Sequence, residues 1–568
     1  MGELKQLIKT SGENLPDVPW DIYPRPMLVR DSFFNLNGKW NLTATCKNEK
    51  VYDGEILVPF SPESLLSGVN KVFSQNTVLK YQKTFTLPEN FNKGKVLLHF
   101  GAVDQIAKVY INGNFLGEHV GGYTPFTLEI TDFLQVKNEL IVETFDHLET
   151  AVLPYGKQTY KRGGMWYTPV SGIWQTVWLE SVGSKYVKGL EVKTSENLVT
   201  VKIDGELSAT LLVDTPNGQL TFYSQEGVAE FSIENPVFWT SENPYLYYFT
   251  VKTEFDQVKS YFALRDLQIK DVNGLKRLCV NNNPVFFNGL LDQGYWPDGI
   301  FTPASPELLT EEIKKVKALG FNTLRKHIKI EPQIFYSECD RLGVYVWQDM
   351  INNGDYKFFR DTVLPTVGFL SRNDKNLHKD EQTRNAFIES MKDTVETLKN
   401  HPSICYWTIF NEGWGQFESQ KCFEIMKGLD DSRFIDTTSG WFRCGDSHVD
   451  SRHIYFRKLK IEKGDKPVVI SEFGGLTLAV DGHIFNKGKS YGYGKCKTRD
   501  EFVKKLRALY IEQVVPLIKQ GLCGTIYTQV SDVEDEINGL FTYDRKVDKV
   551  TPQEFSDIKT LIEEQLES

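Results

Sequence analysis

The chain reads Ile404-Cys405-Tyr406-Trp407-Thr408-Ile409-Phe410 and then Asn411-Glu412-Gly413-Trp414. Such a short, largely apolar run, rich in β-branched and aromatic residues, is typical of a buried strand. A glutamate follows the strand directly, and a glycine follows the glutamate. The pattern recurs where Pro467-Val468-Val469-Ile470-Ser471 precedes Glu472-Phe473-Gly474-Gly475. Both stretches predict a strand that delivers a carboxylate at its carboxyl end.

Strand-like and helix-like segments alternate from about residue 272 to the end of the chain. The predicted strands are 285–288, 322–325, 344–347, 404–410, 434–438, 454–456, 468–471 and 525–528. The predicted helices are 306–319, 332–342, 381–399, 417–429 and 499–519. Eight strands in roughly 295 residues predict a (β/α)8 TIM barrel over residues 272–568, in which active sites lie at the carboxyl ends of the strands. Strands four and seven would then bring Glu412 and Glu472 to the same mouth.

The part of the chain before the barrel is rich in short strands without helices. Residues 96–100, 108–111 and 174–180 read as strands, and Asn112-Gly113 is a strong hairpin signal. We expect a sandwich or jelly roll over residues 1–183. Residues 184–271 have the length and strand content of an immunoglobulin-like β-sandwich.

Composition limits the class of protein. With 40% hydrophobic and 25% charged residues the chain is typical of a soluble globular protein, and its net charge of −10 argues against a nucleic-acid partner. Met1-Gly2-Glu3-Leu4-Lys5 lacks the basic and apolar run of a signal peptide, and no run is apolar enough to span a membrane. The 8 cysteines show no zinc-ligand spacing. We expect a cytoplasmic protein with reduced thiols and no membrane partner.

Two carboxylates that face each other across a barrel mouth are the minimum needed to hydrolyse a glycoside. One must carry a proton for the leaving oxygen, and the other must be ionised, a division that their mutual repulsion assists. A separation of about 5–5.5 Å predicts retention at the anomeric carbon, and a wider one inversion. Glu412 and Glu472 are the candidate pair.

These residues resemble the motifs of glycoside hydrolase family 2, which includes β-galactosidases, β-glucuronidases and β-mannosidases. Residues 109–113, 121–126 and 167–175 resemble its sugar-binding domain, and Asn322-Thr323-Leu324-Arg325 its first barrel signature. Residues 411–414 are similar to the acid/base motif, and residues 471–474 to the nucleophile motif. The resemblance implies a jelly-roll sugar-binding domain, an immunoglobulin-like β-sandwich and a catalytic TIM barrel, in that order. It also implies a carbohydrate substrate, no cofactor and a possible homo-oligomer.

The resemblance also implies roles in a retaining, exo-acting double displacement. Glu472 would form the glycosyl-enzyme, while Glu412 would protonate the leaving group and then activate water. Asn411 would hydrogen-bond the sugar 2-hydroxyl, and Tyr455 would orient Glu472.

Other polar and aromatic residues near strand ends are further candidates for sugar binding. Arg325 is expected near the nucleophile, with a structural salt bridge as an equal alternative. His327 and Asp292 would bind sugar hydroxyls, and the role of Asp349 is open. Four tryptophans could stack on the sugar ring, and about two of them are expected to do so: Trp296, Trp347, Trp414 and Trp441, with Trp414 and Trp441 foremost.

The chain departs from the best-known members at several positions that bear on the sugar. Large β-galactosidases carry an Arg-His-Glu motif where Leu291-Asp292-Gln293 stands, and magnesium ligands where residues 350–354 follow strand three. We therefore predict no essential metal. A β-galactoside comes first, a β-glucuronide second, and arabinosides and mannosides stay open. Lys326 and Lys329 are candidate cations for a uronide carboxylate.

Two alternatives of another kind remain. One is a carbohydrate-binding protein that has lost catalysis. The other is a metal-hydrolase site formed by Glu412, His453 and Glu472, although their spacing fits no metal motif.

Overall fold

The computed structural model describes residues 11–205, 208–366, 368–369 and 373–567. Residues 1–5, from which we expected no signal peptide, lie outside the described residues, as does the rest of the first ten. Among the helices that are described, none is both long enough and apolar enough to cross a membrane.

The first unit is a jelly roll of two antiparallel sheets. One sheet has the order β3-β2-β4-β10-β7-β8 and the other β1-β12-β5-β9. The strands are β1 (Phe34–Asn35), β2 (Gly38–Cys46), β3 (Glu49–Val58), β4 (Thr77–Phe85), β5 (Lys95–Phe100), β6 (Val103–Asp104), β7 (Ile106–Ile111), β8 (Asn114–Val120), β9 (Phe126–Glu129), β10 (Asn138–Phe145), β11 (Gly172–Ile173) and β12 (Val177–Val182). The predicted hairpin at Asn112-Gly113 is confirmed: Ile111 pairs with Asn114, and both turn residues have positive φ.

An immunoglobulin-like sandwich follows. Its two sheets have the orders β13-β14-β17 and β16-β15-β18-β19 and enclose a common apolar core. The strands are β13 (Gly189–Ser195), β14 (Leu198–Asp204), β15 (Thr210–Thr215), β16 (Gly218–Tyr223), β17 (Val228–Ser232), β18 (Tyr247–Lys252) and β19 (Gln257–Phe262). A small sheet leads from there to the barrel: β20 (Leu267–Val272), β21 (Leu275–Val280) and β22 (Asn283–Pro284).

The TIM barrel predicted from the alternating pattern is confirmed. In the described part of the chain, eight strands form one sheet with the order β27-β26-β25-β24-β23-β32-β29-β28, and every ladder in it is parallel. The elements are β23 (Phe287–Asp292), α1 (Glu307–Ala318), β24 (Thr323–Lys326), α2 (Gln333–Leu342), β25 (Tyr345–Asp349), α3 (Leu364–Thr366), α4 (Glu381–Leu398), β26 (Ile404–Asn411), α5 (Ser419–Leu429), β27 (Phe434–Ser439), β28 (Asp450–Ile454), β29 (Val468–Gly474), β30 (Leu476–Leu478), β31 (Gly494–Cys496), α6 (Arg499–Leu509), α7 (Val515–Ile518), β32 (Leu522–Thr528), α8 (Pro552–Phe555) and α9 (Asp557–Glu567). The ends of the sheet meet where the Ser439 and Ser451 hydroxyl oxygens lie 3.4 Å apart.

Local sequence explains these elements. Every residue of β26 is buried, as its largely apolar run predicts. α1 buries Leu309, Ile313 and Val316, which recur at helical spacing and so face the barrel together. α4 begins after Asp380, whose carboxylate accepts the Thr383 N–H as a cap.

Two predicted elements were misplaced. Strand six lies at Asp450–Ile454 rather than at 454–456, because its alternating polar residues include Ser451 and His453, which turn inward and form hydrogen bonds there. The predicted helix 499–519 is interrupted by a π-helical turn at Tyr510–Val514. Pro516, two residues after this turn, lacks an N–H and crowds the turn before it, which explains the interruption.

The jelly roll packs tightly on the barrel. Trp174 meets Phe301 edge-on, with 5.1 Å between ring centroids, and Tyr167 meets Tyr295 at 4.8 Å. The indole of Trp20 donates to the carbonyl of Pro303 at 2.9 Å. This shared core explains why β12 starts only at Val177 and not at 174 as predicted, because Trp174 is turned toward the barrel. The unit bounds 1–183, 184–271 and 272–568 stay predictions.

A buried ion cluster ties the jelly roll to the sandwich, and we predict that stability depends on it. Glu180 accepts from Arg25 at 3.0 Å and from Arg30 at 2.8 Å, and Arg30 also pairs with Asp256 at 2.8 Å. Burial alone would raise the pKa of Glu180, but the neighbouring arginines outweigh it and lower the pKa to about 2.

Glu180→Gln should therefore lower the free energy of unfolding by about 3 kcal/mol at pH 7, since it removes the charge partner of Arg25 and leaves the buried Arg30 with Asp256 alone. The lowered pKa makes this stabilisation fully present above about pH 4.3, the unfolded value, and lost as the pH falls toward 2. Urea unfolding at pH 7 measures the difference between wild type and variant, and unfolding between about pH 5 and pH 2 follows its loss. Glu55→Gln, at an exposed pair with Lys39, is the control and should change little. An equal effect of both substitutions would contradict the prediction.

Candidate active site

Glu412 and Glu472 meet at the barrel mouth. Glu412 follows the last residue of β26, and Glu472 lies near the carboxyl end of β29. Both are buried. One oxygen from each carboxylate and a ring nitrogen of His453 all lie within 4.8 Å of one another. The structure thus brings together the two carboxylates that the strand-end pattern singled out.

Glu472 is held at both oxygens. Its Oε1 accepts from Arg325 Nη1 at 3.1 Å, and its Oε2 accepts a short hydrogen bond from the Tyr455 hydroxyl. Tyr455 lies just beyond β28, contacts the Thr528 hydroxyl at 3.0 Å and stacks on Tyr493 with 3.9 Å between ring centroids. These contacts fix the orientation of the Glu472 carboxylate and place a positive charge beside it.

Arg325 joins four strands of the barrel. Its Nε donates to both oxygens of Asp349 at 3.0 and 3.1 Å, and its Nη2 donates to Asn411 Oδ1 at 2.8 Å. Burial by itself would lower the pKa of Arg325, but Asp349 and Glu472 outweigh it and raise that pKa. The guanidinium is therefore a permanent cation that lies beside Glu472 and forms a buried salt bridge with Asp349.

Glu412 has a different set of neighbours. Its Oε1 lies 2.8 Å from His453 Nδ1, while His453 Nε2 lies 3.1 Å from the Ser439 hydroxyl. The backbone at Glu412 is left-handed, with φ of 53°, and its N–H donates to the carbonyl of Ser439 at 2.9 Å. A non-glycine residue in this region is strained, and such strain gathers at functional sites.

Asn411 offers an unused donor to this mouth. Its Oδ1 is occupied by Arg325, which orients the amide so that Nδ2 is the free end. Nδ2 is buried and has no hydrogen-bond partner among the described residues. A buried donor without a partner is costly unless a ligand satisfies it.

His327 lies behind Arg325. Its Nδ1 is 2.7 Å from Asp349 Oδ2. Burial first, and then the charge of Lys157, lower the pKa of His327 to about 4, so its ring is neutral at pH 7. Burial would raise the pKa of Asp349, but Arg325 and His327 outweigh it and lower the pKa. Asp349, whose role was open, therefore holds Arg325 and His327 in place.

Asp292 does not join the glutamate pair in any described contact. Its Oδ2 lies 2.7 Å from Lys326 Nζ, and its Oδ1 accepts the N–H of Gly294 at 2.9 Å. Lys326 also pairs with Glu331 at 2.6 Å, and Lys329 pairs with Glu331 at 2.9 Å. All four side chains are buried, and their charges are paired with one another. Lys326 and Lys329 are thus poorly placed to bind a substrate carboxylate.

Of the four tryptophans, Trp414 and Trp441 lie near the pair. Trp414 stacks on Trp166 with 5.4 Å between ring centroids and lies 6.4 Å from the His327 ring. Trp441 is half-buried and meets the His453 ring edge-on at 6.2 Å. Trp347 stacks on Tyr406 inside the barrel, and Trp296 stacks with Arg545. The latter two are packing residues.

Sequence reasoning missed several residues at this mouth. His453 was considered only as a metal ligand, although it stands two residues before Tyr455, on a strand whose position was misjudged. Trp166 and Lys157 come from the jelly-roll unit and meet Trp414 only in three dimensions. No local pattern marks either of them.

Comparisons with known proteins agree with this architecture. The profile "Glycosyl hydrolases family 2, TIM barrel domain" matches residues 269–555, the family's sugar binding domain matches residues 64–181, and a further profile, "Glycosyl hydrolases family 2", matches residues 183–265. A β-galactosidase of Thermoanaerobacter pseudethanolicus is 27% identical over 62% of this chain and 47% of its own length. The β-galactosidase large subunit of Leuconostoc lactis is 24% identical over 66% of this chain and 60% of its own length.

The chain thus spans about half the length of these curated relatives. A solved β-D-glucuronidase from Dictyoglomus thermophilum superposes with a TM-score of 0.71, at 18% identity, over 96% of this chain and 98% of its own. That likeness concerns the fold. The profiles together match most of the chain, in the domain order that the fold shows, and this chain belongs to glycosyl hydrolases family 2.

Proposed function

We propose that the protein is a retaining exo-β-glycosidase that removes a terminal non-reducing sugar. The observation that carries the proposal is the approach of one Glu412 oxygen and one Glu472 oxygen to within 4.8 Å. Retaining glycosidases hold their carboxyl groups about 5–5.5 Å apart, whereas inverting ones leave room for a water between them. Family membership supports the same reaction.

In the proposed first step, a Glu472 oxygen attacks the anomeric carbon as the bond to the leaving oxygen breaks, and Glu412 gives its proton to that oxygen. In the second step, Glu412 takes a proton from water, and the water oxygen displaces Glu472 with a second inversion. His453, hydrogen-bonded to Glu412, orients its carboxyl group. Arg325 and Tyr455 orient Glu472.

The free Nδ2 of Asn411 is the proposed donor to the sugar 2-hydroxyl, a contact that strengthens as the transition state forms. Trp166 and Trp414 wall one side of the mouth with stacked rings. A walled mouth suits the end of a glycan chain better than its interior, which supports exo action.

A β-galactoside is the terminal sugar that we propose first, as the names of the curated relatives suggest. A β-glucuronide is the second candidate, as the activity named for the Dictyoglomus structure suggests. A panel of 4-nitrophenyl glycosides, including arabinosides and mannosides, tests the activity and orders the sugars. Complete inactivity on the panel, with oligosaccharides included, would instead support a carbohydrate-binding protein without catalysis.

Glu472→Ala should lose nearly all turnover, because a nucleophile contributes several kcal/mol to lowering the barrier. Azide with a dinitrophenyl glycoside should restore turnover and yield the inverted α-glycosyl azide, identified by proton NMR. Glu424→Ala, at an exposed glutamate on α5, is the matched control. A Glu472→Ala rate above about a tenth of wild type would overturn the assignment.

Glu412→Ala should slow poor leaving groups far more than activated ones, because a nitrophenolate departs without a proton. The ratio of kcat/KM between an alkyl and a dinitrophenyl glycoside measures this. Azide should now give the retained β-glycosyl azide, because Glu472 still forms the intermediate. An equal loss for both leaving groups would remove Glu412 from the acid role.

The metal alternative has a structural counterpart, since Glu412, His453 and Glu472 lie within ligand range of one another. Their donor atoms, however, already engage protein groups, and Arg325 places a fixed cation 3.1 Å from Glu472. A second cation there would be repelled.

We therefore expect full activity after dialysis against a strong chelator. The comparison uses the same preparation, with initial rates measured before dialysis, after dialysis and after Mg²⁺ or Zn²⁺ is returned. Loss of activity that a metal restores would favour the metal alternative.

A further inference from the structure

Lys157 belongs to a segment of the jelly-roll unit that docks on the barrel mouth. The N–H groups of Tyr155 and Gly156 both donate to the Asn352 carbonyl, at 3.0 and 3.3 Å, just beyond β25. A side chain at Gly156 would collide with the carbonyl of Ile328, beyond β24, 2.7 Å away. The backbone next to Lys157 is thus fixed against two of the loops that form the mouth.

The Lys157 side chain is largely buried, and its ammonium has no charge partner among the described residues. The residue is 7% exposed, and its Nζ lies 5.7 Å from the Trp414 ring centroid and 5.5 Å from that of Tyr167. Among the described residues, none forms a hydrogen bond or ion pair with this Nζ. Aromatic faces compensate a cation only in part, so the ammonium is available to bind an anion.

Nearby carboxylates are engaged elsewhere. Glu534 accepts the Thr168 N–H at 2.9 Å and pairs with Arg162 at 3.4 Å. Glu536 accepts from the Tyr167 hydroxyl and from Asn538, the latter at 3.0 Å.

The ammonium shares its surroundings with the glutamate pair. Trp414 stands two residues after Glu412, and its N–H donates to the Asn411 carbonyl at 2.9 Å. The charge of Lys157 is, after burial, the largest influence that lowers the pKa of His327, whose ring lies 6.4 Å from Trp414. Lys157 therefore faces the space beside the sugar-binding mouth.

We propose that Lys157 binds a carboxylate on the terminal sugar and that the substrate class of this protein is a β-uronide. The inference rests on the proposed glycosidase function and names its substrate. A galactoside and a galacturonide share the configuration at C4 and differ at C6, where the uronide carries its carboxylate. The galacto configuration proposed above and an acidic C6 are thus compatible, and together they describe a β-galacturonide.

Four substrates separate configuration from charge: the 4-nitrophenyl β-galactoside, β-galacturonide, β-glucoside and β-glucuronide. We expect kcat/KM to be higher for each uronide than for the neutral sugar of the same configuration, by at least about tenfold, the effect of one charge-assisted hydrogen bond. A wild-type protein that prefers the neutral sugar of both pairs would overturn the inference.

Lys157→Met should lower kcat/KM for the uronides by about 10- to 100-fold and leave the neutral sugars within about threefold. Lys157→Arg keeps the cation and should retain the uronide preference. Lys161→Met removes the same charge from the same segment, but at an exposed position, and should behave as wild type. An equal loss on all four substrates for Lys157→Met would make the residue a structural one and contradict the inference.

Product binding separates failure of this inference from failure of the proposed function. Calorimetric titration with free galacturonate, glucuronate, galactose and glucose needs no turnover. Tighter binding of the acids that disappears in Lys157→Met would support the inference even for a protein without hydrolytic activity. Equal binding of acid and neutral sugar, in an active enzyme, would refute the inference and leave the glycosidase proposal intact.

Discussion

The buried guanidinium of Arg325 is the interaction on which the site depends. A fully buried cation is tolerated only when its hydrogen-bond donors meet anions and carbonyls in good geometry. Arg325 meets this condition with Asp349 on β25, Asn411 on β26 and Glu472 on β29. The positions of the carboxylate and the amide are therefore linked through one planar group. None of the three can move without leaving a charge or a donor unsatisfied inside the barrel.

The barrel supplies the carboxylates, but the jelly roll completes the space around them. Trp166 covers Trp414, and the backbone beside Lys157 is hydrogen-bonded to a barrel loop. The apolar core shared by Trp174 and Phe301 holds the two units rigidly enough for such contacts to be specific. The strand-rich first unit thus provides one wall of the mouth and contributes directly to the surroundings of the two glutamates.

The fold and the glutamate pair were predictable because both depend on local patterns. Buried parallel strands are recognisable from their apolar runs. A glutamate with a glycine one or two residues later, at the ends of two such strands, predicts that both glutamates lie at the barrel mouth. The role of His453 beside Glu412 was not predicted, because β28 is short and about half of its residues are polar. Its position becomes clear only from the contacts of His453 with Ser439 and Glu412 in the folded barrel. Asp292 was found at the correct strand end, yet its carboxylate is taken by a lysine that no strand pattern could assign to it.

Glu412 and Glu472 have nearly the same sequence context, an apolar strand before and a glycine close behind, but the fold gives them different neighbours. Glu472 leaves a regular strand and meets a cation and a phenol. Glu412 turns through a left-handed backbone, continued by Gly413 with φ of 75°, and meets an imidazole. That turn directs the second carboxylate across the mouth toward β28 and not along its own strand. In the proposed mechanism the division of labour between two identical side chains thus follows from backbone geometry and from partners, because residue type alone cannot distinguish an acid from a nucleophile.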